Sequence, residues 1–582
     1  MGQALSGAGL FWLKGAFIQL GVDQALLEVL PALDPSTRPD AAPSLRLWHS
    51  RRAALIAKQH TLAFLSFFKQ LRRPRHLDGY NDSDLGLLSG SGTTYRAFTI
   101  EQHLHELTQA HVSEPWGQAV ARRYWQLWYR NSPRPDRHVF YLDAHEKLLW
   151  TQQPVAKGFV SARHEVHACL KQFYLHGCDG HVLYCETHSG DVHLSGLVLP
   201  IIEHFEHAIG QAVVHVLVAD REGLSAEVLV ELHRRKKALI TLLRANQYAS
   251  EADFDRRSRF LQLRDPRTGL VTHRVADADF WLTASLRVRC GLLYDLDQPE
   301  RLIVVVTTLT RRQEPDIRRP VRWYLARWDI QENSFRALEA FEPLDLNYGV
   351  NGKRQVPNRP VLARIAELTP HLQAIVHKID TKLQQRDTLQ QQIERQTTRY
   401  DQKMAMWLRR QTVLETKGRT AQVARIQEQI TEYRSRHHRR LSRYLARQRE
   451  LEHQIESHRQ EQARVLEELA QLDPQAPFFD VQTETDQLVT HLRIAVYNSA
   501  LFAREHYFAL AYQRTTPLTL WRLFFSQDGY YREDETGIYV TLKPFRDPGL
   551  QQAACEACAR FNRDRIRTAT GKTIHMAVTD CN

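Results

Sequence analysis

Long apolar runs are missing from this 582-residue chain. No stretch supplies the roughly 20 apolar residues that a membrane-spanning helix needs. The nearest, residues 4–22, contains Lys14 and Gln19. It has no basic start and no clear small-residue cleavage site, so it reads as an ordinary N-terminal helix and not as a signal peptide. Cysteine is scarce as well. Seven in so long a chain form no disulfide framework, and the odd count leaves at least one unpaired, which fits a reducing cytoplasmic interior. Acid is short relative to base: 66 Asp and Glu stand against 78 Lys and Arg, a formal net charge of +12. Such a surplus favours a polyanionic partner, either nucleic acid or an acidic membrane surface. What remains is the composition of a folded protein, 43% hydrophobic and 25% charged, too long for one hydrophobic core.

The hydrophobic pattern changes several times along the chain. Residues 1–130 read as a helical N-terminal domain. Apolar spacing is helical over 53–68, and the basic cluster Arg72, Arg73 and Arg75 follows. DNA binding and a merely solvated basic edge are equally compatible with it, because no helix-turn-helix fingerprint stands out. Residues 131–249 alternate strands with helices. Strands are expected at 138–143 (HVFYLD), 148–151, 181–186 (HVLYCE), 213–220 (VVHVLVAD) and 238–244, with helices at 194–209 and from Ser225. That order is an α/β sheet pattern. Residues 250–312 read as a β-rich insertion with strands at 260–264, 281–294 and 302–308; helical spacing resumes at 321–341 within a 313–350 segment. Residues 351–474 have coiled-coil composition. Ile365, Leu368, Leu372, Ile375 and Ile379 keep 3–4 spacing, as do Val423, Ile426, Ile430 and Tyr433. The pattern breaks near Gly418, the only glycine of the segment, between arms of nearly equal length. An antiparallel helical hairpin is therefore expected. Residues 475–582 read as a small α+β region: a helix at 488–508, a β-hairpin of 518–525 with 537–542, and a helix from Pro548.

Three carboxylates stand where a metal site would need them. Asp143 ends the first expected strand and Asp220 the fourth, and in open α/β sheets sites form beyond the carboxyl ends of strands. Glu332 lies on the later helix, in the run Arg327-Trp-Asp-Ile-Gln-Glu-Asn. Two strand-end aspartates and a helix glutamate can hold two Mg²⁺ ions about 3.5–4 Å apart, which activate the attacking oxygen and stabilise the leaving oxygen of a phosphodiester. Taken singly, each aspartate is as readily a turn former or helix cap, and Glu332 with Arg336 an ordinary helix ion pair. Their order on the right kinds of element is the signal.

Together these residues resemble the insertion-sequence DDE transposases: Asp143 on the first strand, Asp220 after the fourth, a β-rich insertion, then Tyr324-x-x-Arg327-Trp328 leading to Gln331-Glu332-Asn333 and Phe335. The likeness continues in Leu344-Asp-Leu-Asn-Tyr-Gly349 and Val356-Pro-Asn358. It is good over 131–360 and loose beyond. It implies a ribonuclease-H-like core, Mg²⁺ or Mn²⁺ dependence, and hydrolysis followed by strand transfer at transposon ends. It also implies double-stranded DNA as partner, a homodimer on that DNA, and a place in the cytoplasm at the nucleoid. One departure stands out. The related Tyr-Arg-Glu-Lys motif has three residues between its Arg and Glu, whereas four separate Arg327 from Glu332. Gln331 takes the strict position, and a one-residue shift turns a helical side chain by about 100°. Glu332 is preferred as third acid, with Glu339 as the alternative.

Other signals are weaker. His164, His167, Cys169, His176, Cys178, His181, Cys185 and His188 crowd one region, but their spacing matches no compact zinc module. Cys555 and Cys558 are a lone pair on a helix. Trp281 suits stacking on an unpaired base, although a core aromatic is the commoner role. Arg434, Arg436, Arg439, Arg440, Arg443, Arg447 and Arg449 form a run with no intervening acid on the second coiled-coil arm. A solvated face is the default there, and Arg436, Arg439, Arg440 and Arg443 are the candidates for phosphate contact. Two readings compete with an active enzyme: a catalytically inactive transposase-derived DNA-binding protein, and a coiled-coil assembly protein with a degenerate core.

Overall fold

Nearly every side chain of the first helix, α1 (Leu10–Gln19), is buried, and a helix apolar on all sides belongs inside a protein or a bilayer. Here protein covers it. Even Lys14 is enclosed: its ammonium donates to the Leu88 carbonyl at 2.6 Å, and burial lowers its pKa to about 8. No single described helix is long and apolar enough to cross a membrane. Only α1 with α2 (Val22–Leu33), bent by 47° at their junction, passes as a pair on length and composition. The computed structural model describes residues 2–33, 47, 50–68, 71–266, 268–342, 346, 348 and 354–580, except for the Glu332 side chain. It divides into two compact units, Met1–Lys353 with Asp480–Asn582, and Arg354–Phe479.

In the first unit, helices α3 (Arg52–Phe64), α4 (Asp84–Ser89), α5 (Ala97–Gln109) and α6 (Ser113–Tyr124) complete the N-terminal part. A three-residue strand ahead of α1, β1 (Gln3–Leu5), pairs with a strand near the C-terminus. The chain then enters a mixed sheet. Its strands are β2 (Val139–Leu148), β3 (Lys157–Val160), β4 (Glu165–His176), β5 (Val182–Ser189), β6 (Val216–Ala219) and β7 (Ala238–Leu242). Helix α7 (Leu194–Ile209) joins β5 to β6, and α8 (Ala226–Arg234) joins β6 to β7. β4 lies antiparallel to β2 and β5, whereas β2, β6 and β7 run parallel. Period-two alternation sorts the side chains. Val139, Tyr141, Val216, Val218 and Ile240 gather on one face, and Phe140, Leu142, Leu217 and Leu239 join the larger core on the other.

The expected strand at 148–151 is not separate. β2 runs through Leu148, and its partner is β4, a strand hidden in the sequence by Lys171, Gln172 and the histidines of EVHACLKQFYLH. Gln172 is tolerated there because its amide donates to Thr187, Asp486 and Thr490. The β-rich segment also differs from expectation. β8 (Asp255–Arg256), β9 (Leu261–Arg264), β10 (Val271–Trp281), β11 (Arg287–Asp295) and β12 (Leu302–Thr307) continue the same sheet through an antiparallel β12–β7 pair. What reads as one strand over 281–294 is the turn and second half of the β10–β11 hairpin. Helix α9 (Arg318–Arg327) covers the Val139–Tyr141 face through Ile317 and Val321. A π-type turn, Trp328–Glu332, leads into α10 (Asn333–Phe341).

Helix α11 (Arg359–Thr416) and α12 (Thr420–Gln471) form the second unit. They fold back on each other at Gly418, whose φ of +64° is the left-handed conformation that glycine adopts most readily. Met404 packs on Ile426 and Ile430, and Ile375 and Ile379 pack with Val465, so the arms are antiparallel.

The chain returns to the first unit as α13 (Glu484–His506), buried along most of its length. The expected strand at 518–525 is instead helical. Thr516 caps α14 (Pro517–Leu520) by accepting from the Thr519 N–H, Pro517 sits in the first turn, and a π-type turn, Trp521–Phe525, follows. The hairpin is β13 (Gly529–Glu533) with β14 (Gly537–Leu542). Helix α15 (Pro548–Arg563) and β15 (Thr573–Val578) complete a four-stranded sheet in the order β1-β13-β14-β15. The two ends of the chain therefore share one sheet.

A wholly buried ion pair ties α13 to the central sheet. Lys147 on β2 donates to Asp486 at 3.0 Å with neither side chain exposed. Gln172 donates to Asp486 and Thr490, and the Tyr348 N–H donates to Asp486 at 3.0 Å. Replacing Lys147 by Met leaves a buried carboxylate without its cation, which costs about 3–5 kcal/mol. Urea unfolding of the full chain measures this; a loss under about 1 kcal/mol would mean that the neutral donors alone suffice. A second buried acid, Glu342, accepts from the Ser66 hydroxyl at 3.0 Å, and burial raises its pKa to about 8. A raised folded-state pKa stabilises below the unfolded value of about 4.3, and that stability is lost as pH rises through the folded value. Stability should therefore fall between about pH 4.5 and 8, and Glu342→Gln should flatten that fall in melting temperatures taken across the range.

Candidate active site

Strand register builds the centre of the site. Leu142 on β2 pairs with Ala219 on β6 in parallel, so the next residues, Asp143 and Asp220, lie side by side. Asp220 follows the end of β6, whereas Asp143, expected to end its strand, lies within β2, which runs on to Leu148 because β4 pairs with it to that point. Both continue the odd-even alternation of Tyr141 and Val218, the residues that face α9. Asp143 accepts from the Ala144 N–H at 2.9 Å. Asp220 accepts from the Arg221 N–H at 2.7 Å, capping a short 3-10 turn. The capping role expected of an isolated aspartate is real for Asp220, and it leaves the second oxygen available.

Helix α9 brings a cation to the pair. The Arg327 guanidinium lies 3.5 Å from Asp143 and 3.6 Å from Asp220, and its side chain is only 16% exposed. Burial works against its charge, but the two carboxylates hold its pKa above the ordinary value. Its Nε donates to Gln331 Oε1 at 2.6 Å, and Gln331 is fully buried. Tyr324, one turn earlier, belongs to the same cluster. Burial raises its phenol pKa, the nearby Asp220 and Asp143 add to the shift, and Arg327 opposes it.

The segment after Arg327 is where the residue spacing departs from the related motif. The Asn333 N–H bonds to the Trp328 carbonyl, five residues back, which defines a π-type turn. Such a turn holds one residue more than an α-helical turn. The backbone of Glu332, five residues past Arg327, thus comes round to the phase that the fourth residue has in an α-helix. The Glu332 side chain lies outside the described residues. Glu339, its alternative, is exposed on α10.

The candidates are not all gathered in one place. Asp143, Asp220, Tyr324 and Arg327 converge. Trp281, expected more often to be a core aromatic, is instead 59% exposed at the end of β10, with the Arg287 guanidinium 5.8 Å from its ring centre. Arg436, Arg439, Arg440 and Arg443 belong to the second unit. A cleft of about 600 Å³ opens on the outer side of α9, lined by Trp323, Arg319, Arg322, His273 and Asp329. It contains neither Asp143 nor Asp220, so the converging charges and not this cleft mark the site. Sequence reading missed the buried Gln331, which fixes Arg327; its signal was its place between the two charged motif residues.

The donor set suits a hard cation. Two carboxylates side by side on adjacent strands offer oxygen ligands of the kind that Mg²⁺ and Mn²⁺ take while retaining waters. Among the described residues no group of three His, Cys, Asp or Glu side chains is placed to hold a metal. The histidine and cysteine cluster disperses: Cys169, Cys185 and His176 are buried in the core, while Glu186 accepts from His188 at 2.9 Å and pairs with His204 at 2.7 Å. Compared with known proteins, the chain matches no family model and no curated protein sequence.

Proposed function

We propose that the chain is a DNA transposase of the DDE type, a metal-dependent nuclease and strand transferase acting at transposon ends through Asp143, Asp220 and Glu332. The observation that carries this reading is the convergence of Asp143 and Asp220 from adjacent parallel strands beneath the helix that delivers Tyr324 and Arg327. A ribonuclease-H-like core is supported by the strand order β5-β4-β2-β6-β7, three antiparallel strands followed by two parallel ones joined through α7 and α8. The π-type turn supports Glu332 as third acid, because it takes up the one extra residue by which the sequence departs from the related motif.

Asp143 and Asp220 would hold Mg²⁺ or Mn²⁺, two ions in this reading. Such ions, when bound, activate the attacking oxygen and stabilise the leaving oxygen of a phosphodiester. The protein's own part is to position groups. Gln331 fixes the Arg327 fork, and a guanidinium presents donors in a geometry that fits phosphate oxygens. Exposed Trp281 has a free ring face on which an unpaired base can stack. Double-stranded DNA is the partner, with a homodimer assembled on it at the nucleoid. One observation favours a second reading: Arg327 already pairs with both aspartates, as in a transposase-derived protein that binds DNA without cutting it.

Nicking of a supercoiled plasmid separates the two. Asp143→Asn and Asp220→Asn should each lower Mg²⁺-dependent cleavage by about a thousandfold or more, as removal of one member of a catalytic unit does, with affinity for DNA retained. An unmodified chain that binds DNA but never nicks it, with either Mg²⁺ or Mn²⁺, would establish the second reading.

A further inference from the structure

Charge is segregated along the hairpin of α11 and α12. Residues 386–449, its distal half, carry sixteen Lys and Arg against six Asp and Glu. That surplus accounts for most of the chain's net charge of +12. A face that serves only solubility intersperses both signs. The distal hairpin does not, and self-repulsion of this size is a standing cost in the absence of a polyanion.

The segregation is sharper still around the helices. At about 100° per residue, Arg425, Arg436, Arg439, Arg440, Arg443 and Arg447 fall within about 100° of one another, on one flank of the Ile426–Ile430 seam. On α11, Arg395, Arg399, Lys403 and Arg410 fall within about 80° on one flank of the Leu389–Met404 seam. Two contacts show that these flanks form one surface. Arg440 donates to Gln396 at 3.4 Å, and the Lys403 ammonium lies 5.0 Å from the centre of the Tyr433 ring. All ten cations are exposed. Among the described residues only Arg436 and Arg447 have acidic partners, Glu432 and Glu450. The opposite flank is balanced: Asp387, Glu394, Asp401 and Glu415 accompany Arg434 and Arg449.

We infer that this two-helix basic face is a binding surface for the backbone of duplex DNA. The inference deepens the proposed function by naming where on the chain the duplex is gripped. From Arg425 to Arg447 the face is about 33 Å long, close to one turn of B-form DNA, about 34 Å. Nine of its ten cations are arginine, the side chain whose fork matches phosphate. The aromatic rings nearby are engaged with each other: Tyr400 stacks on His437 at 4.0 Å and on Tyr433 at 5.6 Å. They form no platform for unpaired bases, so the surface reads charge and shape and not sequence.

The test is fluorescence anisotropy of the full chain with a 30-base-pair duplex of arbitrary sequence, titrated in salt without divalent metal. Each phosphate contact contributes about 0.9 to the slope of log affinity against log salt. The quadruple variant Arg436→Gln, Arg439→Gln, Arg440→Gln, Arg443→Gln should flatten the slope by about three to four. The α11 pair Arg395→Gln, Arg399→Gln should flatten it by about two. The opposite-flank pair Arg434→Gln, Arg449→Gln should change it by less than about one. Unchanged circular dichroism melts would show that all three variants fold. Equal flattening by the two flanks would mean that net charge alone matters, and no flattening by the first two variants would mean that the DNA lies elsewhere; either result overturns the inference. The readout needs no cleavage, so failure of the proposed chemistry and failure of this surface are told apart.

Discussion

Parallel pairing of β2 with β6 is the constraint on which the candidate site rests. Because Leu142 stands opposite Ala219, the next residue in each segment is an aspartate, and the two lie side by side. Two carboxylates so placed repel unless a cation lies between them. Arg327 supplies that cation from a helix held against the same face by Ile317 and Val321. The register of the two strands, the packing of α9 and the ionisation of the pair are therefore one coupled arrangement. A slip of one residue in either strand would send its aspartate to the opposite face.

The acids and the helix behind them were legible in the sequence because HVFYLD and VVHVLVAD are β-branched and aromatic runs that stop on an acid. Asp220 does follow its strand, where open sheets place their chemistry, but β2 continues past Asp143 to Leu148 through a polar stretch that β4 pairs. The coiled-coil arms were legible for a similar reason, since 3–4 spacing persists over many turns and one glycine interrupts it. β4 was not. Its buried positions include Gln172, a residue that composition assigns to solvent, and Asp486 and Thr490 of α13, three hundred residues later, give it partners in the core. The 518–525 segment misled in the opposite direction. Leu, Trp and Phe give it strand composition, but Thr516 and Pro517 start a helix there. Local cues fail where a distant partner decides burial.

The π-type turn at Trp328–Glu332 shows how a one-residue mismatch can be absorbed without moving what lies on either side. An extra residue in an α-helix rotates everything after it by about 100°. Widening a single turn confines the change to that turn. Phe335 still packs edge-on against Tyr174 at 4.8 Å, and Leu338 remains buried. Helix α10 thus keeps its core face although the motif before it is one residue longer. The wider turn also buries Gln331, whose Oε1 fixes the Arg327 Nε, so the feature that absorbs the insertion also orients the cation of the site.

The electrostatics of the two units follow from incompatible demands. A centre built on aspartates must hold cations close and cannot itself attract the polyanion on which it would act. One arginine wedged between two acids leaves that centre still net negative. Attraction must then come from a surface with little acid of its own, and long enough that several phosphates are neutralised together, because each exposed contact is weak alone and screened within about 10 Å at 0.1 M salt. A compact α/β core has difficulty offering such a surface: its basic side chains are drawn into pairs that hold the fold, as Arg289 and Arg311 are by Asp277. A two-helix hairpin is stabilised by its seam and leaves its flanks free to carry uncompensated charge. On this argument the coiled coil is the element of the chain suited to hold positive charge at high density while the acidic centre stays intact.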